Sequence, residues 1–259
     1  MTNNSCRKSL ISVNNELVRK ILEDKFTLAT TSFSNVYLGV WEGKNVVVKL
    51  FHEKHKPLAQ KELSLIAQLE HENIIHLIGA GPSLPLDCSF LILEYANCHS
   101  LQNGFDRLRL VKLGDFGSSR TTLSDETSVF GTLCYMAPEL WTVRSGEKLP
   151  YSEKSDVYSL TVTFWEFLAR EPPNKILKRR DVADKFWSSI TQRPPTLAGC
   201  PELLSIIIES GWAVNPMIRP TMFQLSRCLT SIIEQIFPVD SIIQGVDIPD
   251  DCLNFLKKL

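Results

Sequence analysis

The feature that most restricts the fold is a change of hydrophobic period part-way along the chain. From Lys25 to Leu50, β-branched and aromatic residues dominate FTLATTSFSNVYLGVW and NVVVKLF, with the turn signal EGKN between them. IIHLIGAG and SFLILEYA read as two further buried strands. Between Pro57 and Leu69 the residues Leu58, Leu63, Ile66, Ala67 and Leu69 recur at roughly helical spacing. From Tyr151 onward the period becomes helical, most clearly in SDVYSLTVTFWEFLA, ELLSIIIESGW and TMFQLSRCLTSIIEQIF. Strands first and helices afterwards predict an α+β fold in two parts.

Composition narrows the function classes. A chain of 259 residues, 44% hydrophobic and 22% charged, can bury a sizeable core. A net charge of −1 gives no electrostatic footprint for nucleic acid or an anionic membrane. The seven cysteines (Cys6, Cys88, Cys98, Cys134, Cys200, Cys228, Cys252) are odd in number, scattered and never spaced C-x-x-C. That pattern argues against a disulfide framework and a zinc site, and for free thiols. No apolar run approaches the ~18 residues of a membrane helix, and MTNNSCRKSLISVNN lacks the apolar core of a secretion signal. The expectation is an intracellular, cytoplasmic protein.

Eight short motifs then occur in order: VVVKL, KEL, HENII, LEYA, DFG, APE, SDVYS and IRPT. Singly each is weak, but in this order over some two hundred residues they resemble a eukaryotic protein kinase domain. YLGVWEGKNVVVK and GTLCYMAPE give it a tyrosine-kinase-like, serine/threonine flavour. The chain is similar to the transforming-growth-factor-β-activated kinase group of MAP kinase kinase kinases. Residues 1–24 are polar and read as a leader, and the resemblance implies a strand-rich N-lobe at 25–98, a partial C-lobe at 99–237 and a tail at 238–259. It implies ATP and Mg²⁺ as cofactors, and partners drawn from a MAP kinase kinase kinase pathway.

The resemblance also assigns roles. Lys49 would neutralise the α/β-phosphates of ATP, held by an ion pair from Glu62, and Asp115 would bind magnesium. Phe116 would pack beneath the helix carrying Glu62. Leu28, Val36 and Val47 would line the adenine, Leu93 would gate its pocket, and Glu94 and Ala96 would offer hinge backbone groups. Glu139 and Arg219 would form a structural ion pair in the helical lobe.

Two departures bear on activity. LATTSFSNV places Ala29, Thr31 and Ser34 where the family's phosphate loop carries three glycines. A Cβ at each site obstructs close phosphate approach and positive φ, so nucleotide binding should be weak or absent. Val47, standing where alanine is usual, adds bulk against the adenine. Second, only thirteen residues separate Leu101 from Asp115. The family needs a helix and the H-R-D-x-x-x-x-N loop in that interval. The nearest imitation, Arg179 to Asp181, follows APE and reads as a charged surface.

Without that loop there is no aspartate to act as general base, so no catalytic residue is assigned. Asp156 resembles the buried aspartate that receives the loop's amides, and is expected to be desolvated and short of partners. The missing interval reads either as a skipped exon or as degeneration of the locus. Three readings follow: an inactive, pseudokinase-like binding module; an ATP-dependent serine/threonine kinase whose full product contains the segment; or a fragment that does not fold.

Overall fold

In the computed structural model, the described residues are 11–13, 15–23, 26–81, 90–97, 111–119, 133–140, 150–173, 195, 197 and 199–236. Two compact units divide the chain, Met1–Ser119 and Arg120–Leu259. The split falls just after Asp-Phe-Gly, so that triplet folds with the strands. The motif interval 98–110 and Arg179 to Asp181 lie outside the described residues.

The first unit is a six-stranded sheet. Its strands are β1 (Ile11–Ser12), β2 (Phe26–Thr30), β3 (Ser34–Trp41), β4 (Lys44–Phe51), β5 (Leu77–Gly81) and β6 (Phe90–Glu94), in the spatial order β1-β5-β6-β4-β3-β2. All neighbours run antiparallel except β1 and β5. The EGKN signal makes a two-residue hairpin, in which Glu42 (φ 50°) and Gly43 (φ 73°) both take the left-handed conformation. This geometry matches the twist of the flanking strands. Alternation along β4 sends Val46, Val48 and Phe51 into the core. Those residues divide between two apolar clusters on the sheet's two faces. Phe51 joins Ala59 and Ile66 of helix α2 (Lys56–Ile66), whereas Val46 and Val48 join Val18 and Ile21.

Val18 and Ile21 belong to a segment expected to be a leader. Helix α1 (Asn15–Ile21) follows β1, and Val13, Val18 and Ile21 are buried. Gly39 of β3 permits the close approach, since a Cβ there would lie 2.5 Å from the Ile21 carbonyl oxygen. Val13, Val18 and Ile21, with Leu17 and Leu22 partly buried beside them, pack on this side of the sheet.

The second unit is helical, with α3 (Glu153–Ala169), α4 (Glu202–Gly211) and α5 (Met222–Ile236). Tyr158, Val162 and Trp165 of α3 pack with Ile208, Trp212, Cys134 and Ala137. Val157 packs instead with Ile207 of α4 and with Leu225, Cys228 and Ile232 of α5. Cys134, Cys200 and Cys228 are free thiols.

Arg219 organises this unit. Its side chain is wholly buried and all five N–H donors are used. Two bonds of 2.8 Å reach the Glu139 carboxylate, and three go to the carbonyls of Ala213, Lys154 and Val214. Ser155 Oγ adds a third bond to Glu139 at 2.9 Å. Burial works against the Glu139 carboxylate, but Arg219 and these donors outweigh it and hold its pKa below the usual glutamate value.

Asp156 departs from expectation. Its side chain is exposed and accepts a hydrogen bond from the Tyr151 hydroxyl, so it is neither desolvated nor short of a partner. The position on α3 was read correctly from the motif, but the exposure of that face depends on what else packs there.

Two outcomes follow for denaturant unfolding. Arg219→Met should cost about 3 to 5 kcal/mol, because it removes the cation that neutralises the Glu139 carboxylate. Asp156→Asn should change stability by less than about 1 kcal/mol. The lowered pKa of Glu139 means its contribution is complete above the usual value of 4.5 and is lost as pH falls through the folded-state value. Glu139→Gln should therefore be less stable than the parent near neutrality and lose less of its stability below pH 4.5.

Candidate functional site

The site begins with β-sheet register. Val36 of β3, Lys49 of β4 and Leu91 of β6 are cross-strand partners, and Ala29 of β2 pairs with Val36. Helix α2 supplies Glu62, whose side chain is wholly buried. Lys49 Nζ donates to both Glu62 oxygens, at 3.1 and 2.8 Å, and to Asp115 Oδ1 at 2.6 Å. Burial works against the Lys49 ammonium, but the Glu62 and Asp115 carboxylates outweigh it and its pKa lies above the ordinary lysine value. Burial pushes the Glu62 carboxyl up, and Lys49 offsets this only in part.

Asp115 is held by its own segment. Asn73 Nδ2 donates to the Val111 carbonyl at 2.9 Å, Leu113 N to the Asn73 carbonyl at 2.7 Å, and Ile75 N to the Leu113 carbonyl at 2.9 Å. The HENII motif therefore stitches the approach to Asp-Phe-Gly. Asp115 then takes a left-handed backbone (φ 63°, ψ 66°), a conformation that costs a non-glycine residue of order 1–3 kcal/mol. Phe116 drops into the cluster with Ile66 and Leu77. At Gly117 an added Cβ would sit 2.9 Å from Glu62 Oε2, so glycine leaves the room that carboxylate occupies.

A cleft of about 340 Å³ lies alongside. Of the residues singled out in the sequence, Leu28, Val47, Leu93, Glu94, Ala96 and Asp115 line it, joined by Phe26, Ile75, Tyr95 and Gly114. Val36, Lys49 and Glu62 are not among its lining residues. The Glu94 backbone N–H donates to the His76 carbonyl at 3.0 Å, and its carboxylate accepts His76 N and Lys112 Nζ, both at 2.7 Å. Glu94 thus braces the strand end, and Ala96 lies beyond it.

The loop between β2 and β3 is closed on itself. Thr31 Oγ1 accepts the backbone N–H of Ser34 at 3.0 Å and of Phe33 at 3.2 Å, and is also 3.0 Å from the Ser34 carbonyl oxygen. Thr31 N donates to that same carbonyl at 2.9 Å. Among described non-glycine residues only Glu42, Asp115 and Arg170 have positive φ, so Ala29, Thr31 and Ser34 carry no strain of the kind expected. The loop also meets the start of α2. His52 N donates to the Phe33 carbonyl at 3.0 Å, and the Phe33 ring stands edge-on to His55 at 4.9 Å.

A family model described as protein tyrosine and serine/threonine kinase matches residues 22–108 and 105–229. The chain belongs to this family. Among similar proteins, the dual specificity protein kinase shkC of Dictyostelium discoideum is 26% identical over 263 positions, covering 80% of this chain and 50% of the relative. A putative mitogen-activated protein kinase kinase kinase 7-like protein of Drosophila melanogaster is 25% identical, covering 80% and 65%. Mitogen-activated protein kinase kinase kinase 7 of the same organism is 24% identical, covering 82% and 38%. The chain thus spans from about a third to two thirds of the length of these relatives.

The kinase match comes in two pieces that meet at 105–108, within the short interval before Asp115. About 56 of the 263 positions aligned with shkC have no residue of this chain opposite them, at places along the alignment that the figure does not fix.

His52 and Phe26 were not singled out by the sequence reading, and Thr31 was named there only as a residue replacing a glycine. The spacing T-x-x-S is a signal for the Thr31 turn, since hydroxyl side chains commonly cap nearby amides. Nothing local marks Phe26. Because Lys49 is the cation that pairs with the buried Glu62 carboxylate among the described residues, Lys49→Met should cost about 3 kcal/mol in denaturant unfolding, and adding Glu62→Gln should recover at least half of that loss.

Proposed function

We propose that this chain is a kinase-family signalling module that engages protein partners of a MAP kinase kinase kinase type of cascade and does not itself transfer phosphate. The observation that carries the reading is the interval of thirteen residues between Leu101 and Asp115. Phosphoryl transfer depends on positioning the acceptor hydroxyl and neutralising charge on the transferred group. A chain with no aspartate to orient that hydroxyl lacks the mechanism. The family match, split at 105–108, supports a real deficit in this region.

The residues present fit the family's cofactors unevenly. Lys49, Glu62 and Asp115 have the arrangement that holds phosphates and a divalent cation, and ATP with Mg²⁺ would supply the transferable group and its neutralisation there. The loop amides of Phe33 and Ser34, in contrast, already donate to Thr31. We therefore place ATP affinity in the weak range.

One observation favours a second reading, an ATP-dependent serine/threonine kinase whose full product contains the segment. It is the retained bonding of Lys49 with both Glu62 and Asp115. Sequencing the transcript across the codons for Leu101 to Leu113 distinguishes the two. A cytoplasmic location and partners other than nucleic acid or membrane fit the charge balance. No helix among the described residues is long and apolar enough to cross a membrane.

The expected result for the 259-residue chain is no transfer of labelled phosphate from ATP to itself or to a protein substrate. Transfer that disappears in Asp115→Ala would overturn the proposal.

A further inference from the structure

We propose that the turn and helix start at 214–223 form an apolar docking surface, and that its occupant is the acidic, apolar segment 239–248 of the same chain, which lies beyond the described residues. The inference concerns the second unit alone and holds whether or not the chain transfers phosphate.

Of the seven large apolar side chains exposed in this unit among the described residues, five fall within ten positions: Val214, Met217, Ile218, Met222 and Phe223. Met217 is 83% and Phe223 65% exposed. Their backbone is firmly tied. Asn215 Oδ1 accepts the Met217 N–H at 3.0 Å, and Arg219 donates from inside the turn to the carbonyls of Ala213 and Val214. Thr221 Oγ1 accepts the Gln224 N–H at 3.1 Å, and the Gln224 side chain accepts the Thr221 N–H at 2.9 Å, closing the first turn of α5. Grouped apolar side chains held out to solvent mark an interaction site. A frame already ordered in this way loses little freedom when the surface is covered.

The charge at this surface is positive. Between Glu209 and Glu234 the charged residues are Arg219 and Arg227 alone. Arg219 is buried and paired with Glu139. Arg227 is exposed, and its guanidinium lies over the Phe223 ring at 5.6 Å. Lys154 Nζ donates to the Arg219 carbonyl and brings a second cation to the turn. An apolar surface with a basic rim complements an acidic, apolar chain. It is a poor match for a second copy, because a symmetric pairing brings the same cations into one interface twice.

The sequence after α5 has that chemistry. From 228 to 256 there is no lysine or arginine, and the stretch VDSIIQGVDI at 239–248 sets Asp240 and Asp247 among Val239, Ile242, Ile243, Val246 and Ile248. Helix α5 ends at Ile236, and Pro238 lacks the N–H that would continue it. Length permits a return along the helix. Phe223 lies 13 residues before the end of α5, about 20 Å along the axis. The 11 residues from 237 to 247 span up to about 36 Å, which leaves room for a turn. On the same chain the segment meets the surface at high effective concentration, so a separate protein using this surface must displace it.

Photo-crosslinking in the full chain, with p-benzoylphenylalanine in place of Phe223, tests this. Mass spectrometry should find the crosslink within one molecule, to a peptide from 239–248. Arg227→Glu should cut its yield at least fivefold, and adding Asp240→Lys with Asp247→Lys should restore at least half of it. A crosslink that joins two copies, one that goes to another part of the chain, no crosslink at all, or a yield that Arg227→Glu leaves unchanged overturns the proposal, as does a charge-swapped chain that recovers nothing. Hydrogen exchange is a second measurement that leaves the surface itself intact. In the full chain carrying Ile242→Asp and Ile243→Asp, the amides of 214–223 should exchange at least threefold faster than in the parent, while those of α3 stay unchanged. Equal exchange at 214–223 in the two chains overturns the proposal.

Discussion

Everything in the first unit turns on one buried carboxylate. Glu62 is wholly buried on α2, and an ionised group in that position demands a partner. Lys49 meets the demand from β4, which fixes the helix against the sheet at one register. Asp115 completes the arrangement by bonding the same ammonium, and Gly117 leaves the space that Glu62 Oε2 occupies. Sheet, helix and Asp-Phe-Gly segment are thereby tied at a single point. Arg219 plays the equivalent part in the second unit, where the fork of a guanidinium satisfies one carboxylate and three carbonyls at once.

These two ion pairs were legible in the sequence because they are carried by motifs whose order is informative. The strands were legible too, since Val46, Val48 and Phe51 alternate or cluster as a half-buried strand requires. Helix α1 was not. Its residues are mostly polar, and Val18 and Ile21 matter only because Gly39 lets them come close, a fact held in a strand some twenty residues away. Asp156 shows the same limit from the other side. Its place on α3 followed from SDVYS, but its exposure is set by the surroundings of the helix, which no local pattern encodes.

Thr31 is a subtler case. Comparison with a glycine pattern treats the residue as a loss, a Cβ where none should be. The structure gives it a positive role, because the hydroxyl accepts two amides and the backbone stays in ordinary regions of φ and ψ. A threonine turn closes the hairpin with no need for a ligand. The loop is therefore stable when empty, which a glycine loop is not to the same degree, since glycine loses more conformational freedom on ordering.

This distinction bears on how the retained Lys49, Glu62 and Asp115 are weighed. Their geometry matches what phosphoryl transfer needs, and on that ground it speaks for an enzyme. Yet Lys49 and Glu62 are also required by packing. Removing Lys49 strands Glu62, and the left-handed backbone at Asp115 lets Phe116 fill the cluster with Ile66 and Leu77. A strained residue persists only when its surroundings over-determine it, and here the stitched segment from Val111 to Leu113 and the buried phenyl ring hold it. Packing of the first unit alone accounts for Lys49 and Glu62, and the exposed Asp115 side chain adds only its bond to Lys49. Selection for phosphate binding would in addition preserve free amides between β2 and β3, and those amides are taken by Thr31. The loop, not the ion pair, is the part of this site whose state discriminates between a working nucleotide site and a fold that keeps its shape for another use.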